Sequence, residues 1–437
     1  MQSNFKTLVY TIILVVLGST SFAQTFSPHS RFGIGNMFNP VFSANKAMGG
    51  ISAGYTNSRE INYLNPASYA AMQYTNFNIG LQMYGNTISS DSAQIAGSVN
   101  GGINNVALGF PVIMNHWGMA FGLTPFSYKK YNYSNTLTDD GTSYTYNNLG
   151  KGSTYKVFWG NGFEYKNFRF GVNAGFVFGG LDESQEILLK DTTSNINTSV
   201  HNELNLKDFT ADFGVQYTFK ISKLENQDKD KIPVYMTVGA YGAPPINIKS
   251  AHSKYNISSK TDPYTQEQYP IDSASGGFYN QKVQTKLPAY FGLGFTIGNE
   301  LWWTAGADFH FENWKSYNSK INNTPLNNLW QLKIGGEIKP DFRSNNYAKQ
   351  VNYRLGAQFG KSYVTHAGKG VPEFGMTFGF GLPLGKVTGS GSRNKINLAM
   401  EIGRRGIADI NTYKENYYKL TLTYALSDRW FIKRKFD

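Results

Sequence analysis

Four carboxylates, Glu164, Asp212, Asp308 and Glu401, fall on the polar side of alternating segments, and the cations Lys156, Arg169, Lys333 and Arg354 share that side. Carboxylates gathered in a lumen have the chemistry for general acid–base catalysis. Set among cations they more often form ion pairs, and ion pairing is the role expected here. The six histidines, His29, His116, His201, His252, His310 and His366, lie far apart with no ligand spacing, so no metal site is expected. Glycine-rich pieces such as Gly389–Ser392 and Gly368–Gly370 lack the strand-to-helix context of a phosphate loop. Neither an enzyme nor a cofactor is expected.

The elements that hold these groups begin after a leader. MQSNFKTLVYTIILVVLGSTSFAQ has one early lysine, an apolar run from Leu8 to Leu17 and small residues at Ser21 and Ala23. It reads as a secretory signal peptide over 1–23, cut after Ala23 and exported by the general secretory route. The run is too short for a membrane helix, which needs about twenty apolar residues. With no cysteine in the chain, neither disulfides nor a lipid-bearing cysteine are expected. The formal charge is +12. For an exported chain it is read as basic loops and ends, such as IKRKF near the C-terminus, meeting outer-membrane lipid and lipopolysaccharide rather than nucleic acid.

Strict alternation marks a strand with two unlike faces. In HWGMAFGLT, Trp117, Met119, Phe121 and Leu123 oppose His116, Gly118, Ala120, Gly122 and Thr124. FRFGVNAGFVF and EFGMTFGFGL repeat the pattern, with Phe168, Phe170 and Val172, or Phe374, Met376 and Phe378, on one face. The same test marks 76–84, 103–110, 116–124, 155–164, 168–177, 208–218, 233–240, 289–296, 301–309, 329–337, 350–358, 374–381, 396–403 and 417–424. The fold class expected is all-β: a transmembrane antiparallel β-barrel of about 14 strands. Short links near 111–115, 165–167 and 297–300 alternate with long ones near 85–102, 125–154, 178–207 and 241–288, as periplasmic turns alternate with external loops in such barrels.

The opposite face carries Asn78, Gln82, His116, Lys156, Glu164, Arg169, Asp212, Gln216, Asp308, His310, Gln331, Lys333, Arg354, Gln358, Asn397, Glu401 and Lys419. That set is too charged for a sandwich core and suits a wet or plugged lumen. Tyr165, Phe168, Trp303, Trp330, Tyr418 and Tyr424 fall near strand ends, where interfacial aromatics belong. The irregular stretch INYLNPASYA, Ile61–Ala70, precedes the first strand and is the candidate to fill the lumen.

SRFGIGN (Ser30–Asn36), AMGGISAGY (Ala47–Tyr55), INYLNPASYA and GLTPFS (Gly122–Ser127) resemble segments of the FadL-like outer-membrane transporters, the OmpP1/FadL/TodX type. The resemblance spans nearly the whole mature chain. It implies a hatch over 24–75 with Asn65, Pro66 and Ala67 in its core, and a barrel over 76–437 in the Gram-negative outer membrane. It further implies a third strand bent inward near Gly118, Gly122 and Pro125, opening the wall to a hydrophobic small-molecule ligand such as a fatty acid or aromatic hydrocarbon. Those glycines equally suit ordinary packing at small lumen-facing positions. The function implied is passive uptake. The alternative is a barrel that docks other envelope proteins in a secretion or assembly complex. The chain departs from the family's pattern in its long, polar, tyrosine-rich 241–288 segment and its WFIKRKFD ending.

Overall fold

The computed structural model describes residues 27–89, 94–139, 142–189, 196–221, 233–261, 268–273, 277–319, 324–341, 343–366, 368–385, 394–406 and 414–429. The signal-peptide segment lies outside them. In chain order the strands are β1 (Asn36–Met37), β2 (Thr75–Ser89), β3 (Gln94–Ile113), β4 (Trp117–Tyr128), β5 (Tyr131–Asp139), β6 (Thr142–Tyr165) and β7 (Phe168–Leu189). There follow β8 (Ile196–Ile221), β9 (Val234–Ala243), β10 (Ile246–Thr261), β11 (Gln268–Ser273), β12 (Phe278–Leu287) and β13 (Tyr290–Asn299). The last are β14 (Trp303–Glu312), β15 (Leu329–Ile338), β16 (Asn352–His366), β17 (Lys369–Leu384), β18 (Asn394–Arg405) and β19 (Lys414–Asp428).

Of these, β2–β4, β6–β9 and β13–β19 are the fourteen antiparallel staves of a closed barrel. Closure is made by β19 on β2, from Lys414↔Ser89 to Asp428↔Thr75. Alternation explains the wall. Phe168, Phe170, Val172, Phe374, Met376 and Phe378 are exposed on the outside, whereas Asn173 and Thr377 between them are buried inside. Apolar side chains there meet lipid tails, and every backbone group of a closed ladder is satisfied by a neighbour.

The staves depart from expectation in length. Strands β6, β7 and β8 have 24, 22 and 26 residues, at least twice the roughly nine to eleven that a tilted strand needs to cross a bilayer. The stretches expected as long loops over 125–154 and 241–288 are strands in large part: β5 pairs with β6, and β10 bridges β8 and β12. Segments such as TLTDD and SKYNISSK have polar residues on both faces, because neither face meets lipid or a core. The alternation test is therefore silent there. The barrel thus has a turn end, where the short links lie, and an extended end, where these strands project.

Residues 27–74 lie against the inner wall and are nearly all buried. Two apolar clusters anchor them. Phe32 and Ile34 join Trp314, Leu181, Leu206, Ile248, Leu287 and Tyr363 toward the extended end. Nearer the turn end, Val41, Phe42, Ile61, Tyr63, Leu64, Tyr69 and Met72 pack on Ala107, Ala120 and Phe158.

Candidate functional site

The segment INYLNPASYA is a compact turn, with a 3-10 helix over Pro66–Ala71. Proline suits its first position, where an N–H would have no partner in the helix. Asn65 caps it, its Oδ1 accepting from the Ala67 N–H at 3.2 Å. Asn65 Nδ2 donates to the carbonyls of Ala53 at 2.7 Å and of Val215 and Ala240 at 3.3 Å, tying the turn to β8 and β9. Asn62 Nδ2 donates to the carbonyls of Ser52 at 2.7 Å and Tyr55 at 2.9 Å. Tyr69 Oη donates to Asn173 Oδ1 at 3.1 Å, and Asn173 Nδ2 returns a bond to the Tyr63 carbonyl. Asparagine serves because one side chain supplies both donors and an acceptor.

The wall is shaped to receive this turn. Gly118, Gly162, Gly171 and Gly214 pair side by side across β4, β6, β7 and β8. A Cβ at Gly118 would overlap the Tyr69 carbonyl, and one at Gly171 the Pro66 carbonyl carbon. In a second row on β14–β16, Gly335 and Gly356 seat Met48 and Gly49, and Gly306 lies against Ile51. Gly118 and Gly122 are therefore packing glycines, laddered on both sides, opposite Pro111 and Gly162 and opposite Ala107 and Phe158. Neither stands at a break in the wall.

Pro125 does. β4 pairs with β3 from Trp117 only as far as Leu123, opposite Val106. Beyond it β4 keeps β6, with a bulge between Pro125 and Ser127, and its Ser127 and Tyr128 pair instead with Met37 and Asn36 of β1 inside the lumen. Among the described residues, β3 from Gln94 to Asn105 then has β2 on one side and no ladder partner on the other.

The polar face forms buried ion pairs. Lys156 Nζ lies 2.6 Å from Asp212 Oδ2. Arg354 Nε meets Glu337 at 2.5 Å and its Nη2 approaches Glu60 of the lumen segment at 3.7 Å. Arg169 meets Glu164 at 2.8 Å, and Lys419 meets Glu401 at 3.0 Å. Asp308 Oδ2 accepts the backbone N–H groups of Ser52 at 2.5 Å and Ala53 at 2.8 Å, fastening the segment to β14. His116 belongs to none of this: it lies exposed in the turn between β3 and β4, its Nδ1 3.0 Å from the Met114 carbonyl. A residue beside a tight turn keeps the strand's alternation in sequence but not its direction. Sequence reasoning passed over Glu60 and Glu415. Glu415 takes bonds from Tyr84 at 2.7 Å and Asn86 at 2.6 Å.

Two lumen-segment bases are shifted by burial. Lys46 donates to Gln82 and Asn104, and burial together with nearby Lys419 brings its pKa down to about 7. Burial outweighs Glu415 at His29, whose pKa falls to about 4, so its 3.8 Å approach to Glu415 is not an ion pair at neutral pH.

Between segment and wall lies a cavity of about 320 Å³. Met37, Phe38, Pro125, Phe126, Ile246 and Leu287 make its apolar lining, and Lys46, Lys156, Lys333, Glu401 and Arg405 its charged floor. Among the described residues no group of histidines and carboxylates could hold a metal ion.

A closed fourteen-stranded barrel with its N-terminal segment packed against the inner wall has the architecture of FadL-type outer-membrane barrels. The TodX monoaromatic hydrocarbon channel carrying its deltaS2 mutation superposes with a TM-score of 0.57 at 16% identity, over 90% of this chain and 99% of that one. A Pseudomonas aeruginosa FadL homologue gives 0.57 at 12% identity over 89% and 98%. The Ralstonia pickettii toluene transporter TbuX gives 0.56 at 13% over 90% and 100%. At such identity the likeness is one of fold. No curated protein matches significantly in sequence. The BamG family matches residues 5–437, and the chain belongs to that family.

Proposed function

We propose that this protein is an outer-membrane barrel that passes a hydrophobic small molecule, a fatty acid or an aromatic hydrocarbon, sideways between its lumen cavity and the bilayer. The observation that carries this reading is the parting of β4 from β3 after Leu123, at the level where Pro125 and Phe126 line the cavity. The apolar cluster of Phe32, Ile34 and Trp314 and the buried ion pairs occupy part of the barrel interior, and a route through the wall avoids them. Binding comes from removing apolar ligand surface from water, at roughly 25 cal/mol per Å², and involves no covalent step. The residues 24–75 act as the hatch, with Asn65, Pro66 and Ala67 at its centre. The extended end faces outward, toward lipopolysaccharide. Uptake of labelled toluene and of a long-chain fatty acid by a deletion strain, with and without the restored gene, tests the reading; equal uptake across the panel defeats it.

A second reading is supported by the projecting strands and by membership of the BamG family. In it, the sheet built from β5–β8 and β10–β12 is a docking surface for other envelope proteins in a secretion or assembly complex. Purification in mild detergent separates the two: a stoichiometric protein partner favours docking, whereas a lone barrel carrying lipid favours transport.

A further inference from the structure

The wall has another discontinuity, on β8. From Phe213 to Ile221 this strand pairs with β9, and from Ile196 to Leu206 it pairs with β10. Between the two, Lys207–Asp212 has no ladder partner on that side. The facing residues 243–249 include Pro244 and Pro245, which carry no N–H to donate. Lys249 N–H turns to the Asp208 carboxylate, at 2.9 Å, instead of a β8 carbonyl. On its far side the same segment stays zipped, Ala243 opposite Tyr290 and Ile246 opposite Leu287, with Pro288 at the same level. At this level the 243–249 stretch, still held by β12 and β13, parts from β8.

We propose that this break is a second membrane-facing opening of the barrel, through which an alkyl or aryl chain passes into the cavity already described. Thr210, Ala211 and Asp212 line that cavity from one lip, and Ala243, Pro244 and Ile246 from the other. Alternation puts Phe209 outside, its ring 5.1 Å from Phe176, and Thr210 inside, where its hydroxyl is buried without a hydrogen-bond partner. Of the charged residues at the break, Asp212 alone lines the cavity and is neutralised by Lys156, with Ala211, Ala243, Pro244 and Ile246 beside it, whereas Lys207, Asp208 and Lys249 lie at the end away from β9. Asp212 pairs across to Asn173, Gly160 and Ala120 in turn, which places it close to the level where β4 leaves β3 after Leu123. Two openings, separated by β4, β6, β7 and β8, reach one chamber. Unpaired backbone is tolerated at membrane depth where it lines such a cavity and is costly against lipid.

The inference rests on the cavity being a chamber for apolar ligands, and the test reads the two openings separately. The full-length barrel is placed in lipid nanodiscs holding either a phospholipid with a photoreactive acyl chain or a free aryl diazirine, irradiated, and mapped by peptide mass spectrometry. Labelling of inward Thr210, Ala243 or Ile246 is expected, alongside outward Phe209. Labelling by the phospholipid alone makes a lipid chain the occupant, by the aryl probe alone a free hydrocarbon, and either supports the opening. Labelling of Phe126 without Thr210, Ala243 or Ile246 overturns it and leaves passage beside β4 standing. Labelling of outward residues alone overturns both. In the variant P244V/P245V, which restores two N–H donors, inward labelling is expected to fall several-fold while Phe209 labelling stays constant; unchanged inward labelling counts against the break as the route.

Discussion

Lys156 and Asp212 stand on β6 and β8, one strand apart, with Nζ 2.6 Å from Oδ2, and Tyr63 of the lumen segment and Tyr290 of β13 both donate to the same carboxylate. One buried charge pair thus joins three staves to the segment they enclose.

Replacing Asp212 by Asn removes the counter-charge and leaves Lys156 buried alone. Losing one partner of a buried pair costs roughly 3–5 kcal/mol. The expected outcome is a clearly lower unfolding temperature, read by the heat-dependent shift of the folded barrel on gels. The double variant K156M/D212L, which removes both charges, should recover most of that loss.

Gly118→Ala puts a methyl group into the Tyr69 carbonyl, so the seated turn has to move. Overpacking of this kind costs roughly 1–3 kcal/mol. Gly102→Ala on β3 is the control, because nothing lies within 4 Å of its added Cβ. Thermal unfolding of the two variants should separate them, with only the first destabilised.

Asn65→Ala removes the cap on Ala67 and the amide that holds three carbonyls of the segment, β8 and β9. A loosened hatch should raise conductance in planar bilayers and sensitivity to small polar antibiotics. Wild-type conductance with reduced stability would assign Asn65 to folding alone.

Lys46 has a folded pKa of about 7, below its value in an unfolded chain. The unfolded state therefore binds more protons between pH 7 and the ordinary lysine range, and stability contributed at this site rises with pH across that window. Below pH 7 the charged form is buried at full cost. Lys46→Met should stabilise the barrel more at pH 6 than at pH 10, measured as the difference in unfolding temperature from wild type.

Much of the wall was legible because lipid imposes a period of two. Phe168, Phe170 and Val172 could only alternate with Arg169, Gly171 and Asn173 in a sheet wet on one face. The stave number follows from that signal. Strand length did not, since in TLTDD or SKYNISSK nothing distinguishes the faces beyond the membrane. INYLNPASYA was legible as an irregular, self-satisfying piece. Its seat was not, because four glycines on four strands become one surface only through register. For the same reason Gly118 and Gly122 suited a bend and ordinary packing equally in the sequence, and their closeness to Tyr69 and to Val106 favours packing. Glu60 was invisible as a partner, because its cations Arg354 and Lys395 lie hundreds of residues away in sequence.

Ser27 and Ser30 sit near the extended end, hydrogen-bonded to the Lys130 carbonyl, while Thr75 begins β2 at the opposite rim. The segment between them runs the depth of the barrel, and the ring around it is completed only when β19, the last of the described strands, meets β2. Closing that seam is also what captures the segment. A chain that stops short of β19 still carries residues 27–74 but leaves the ring around them open, so the strand most distant from them in sequence is the one their enclosure depends on.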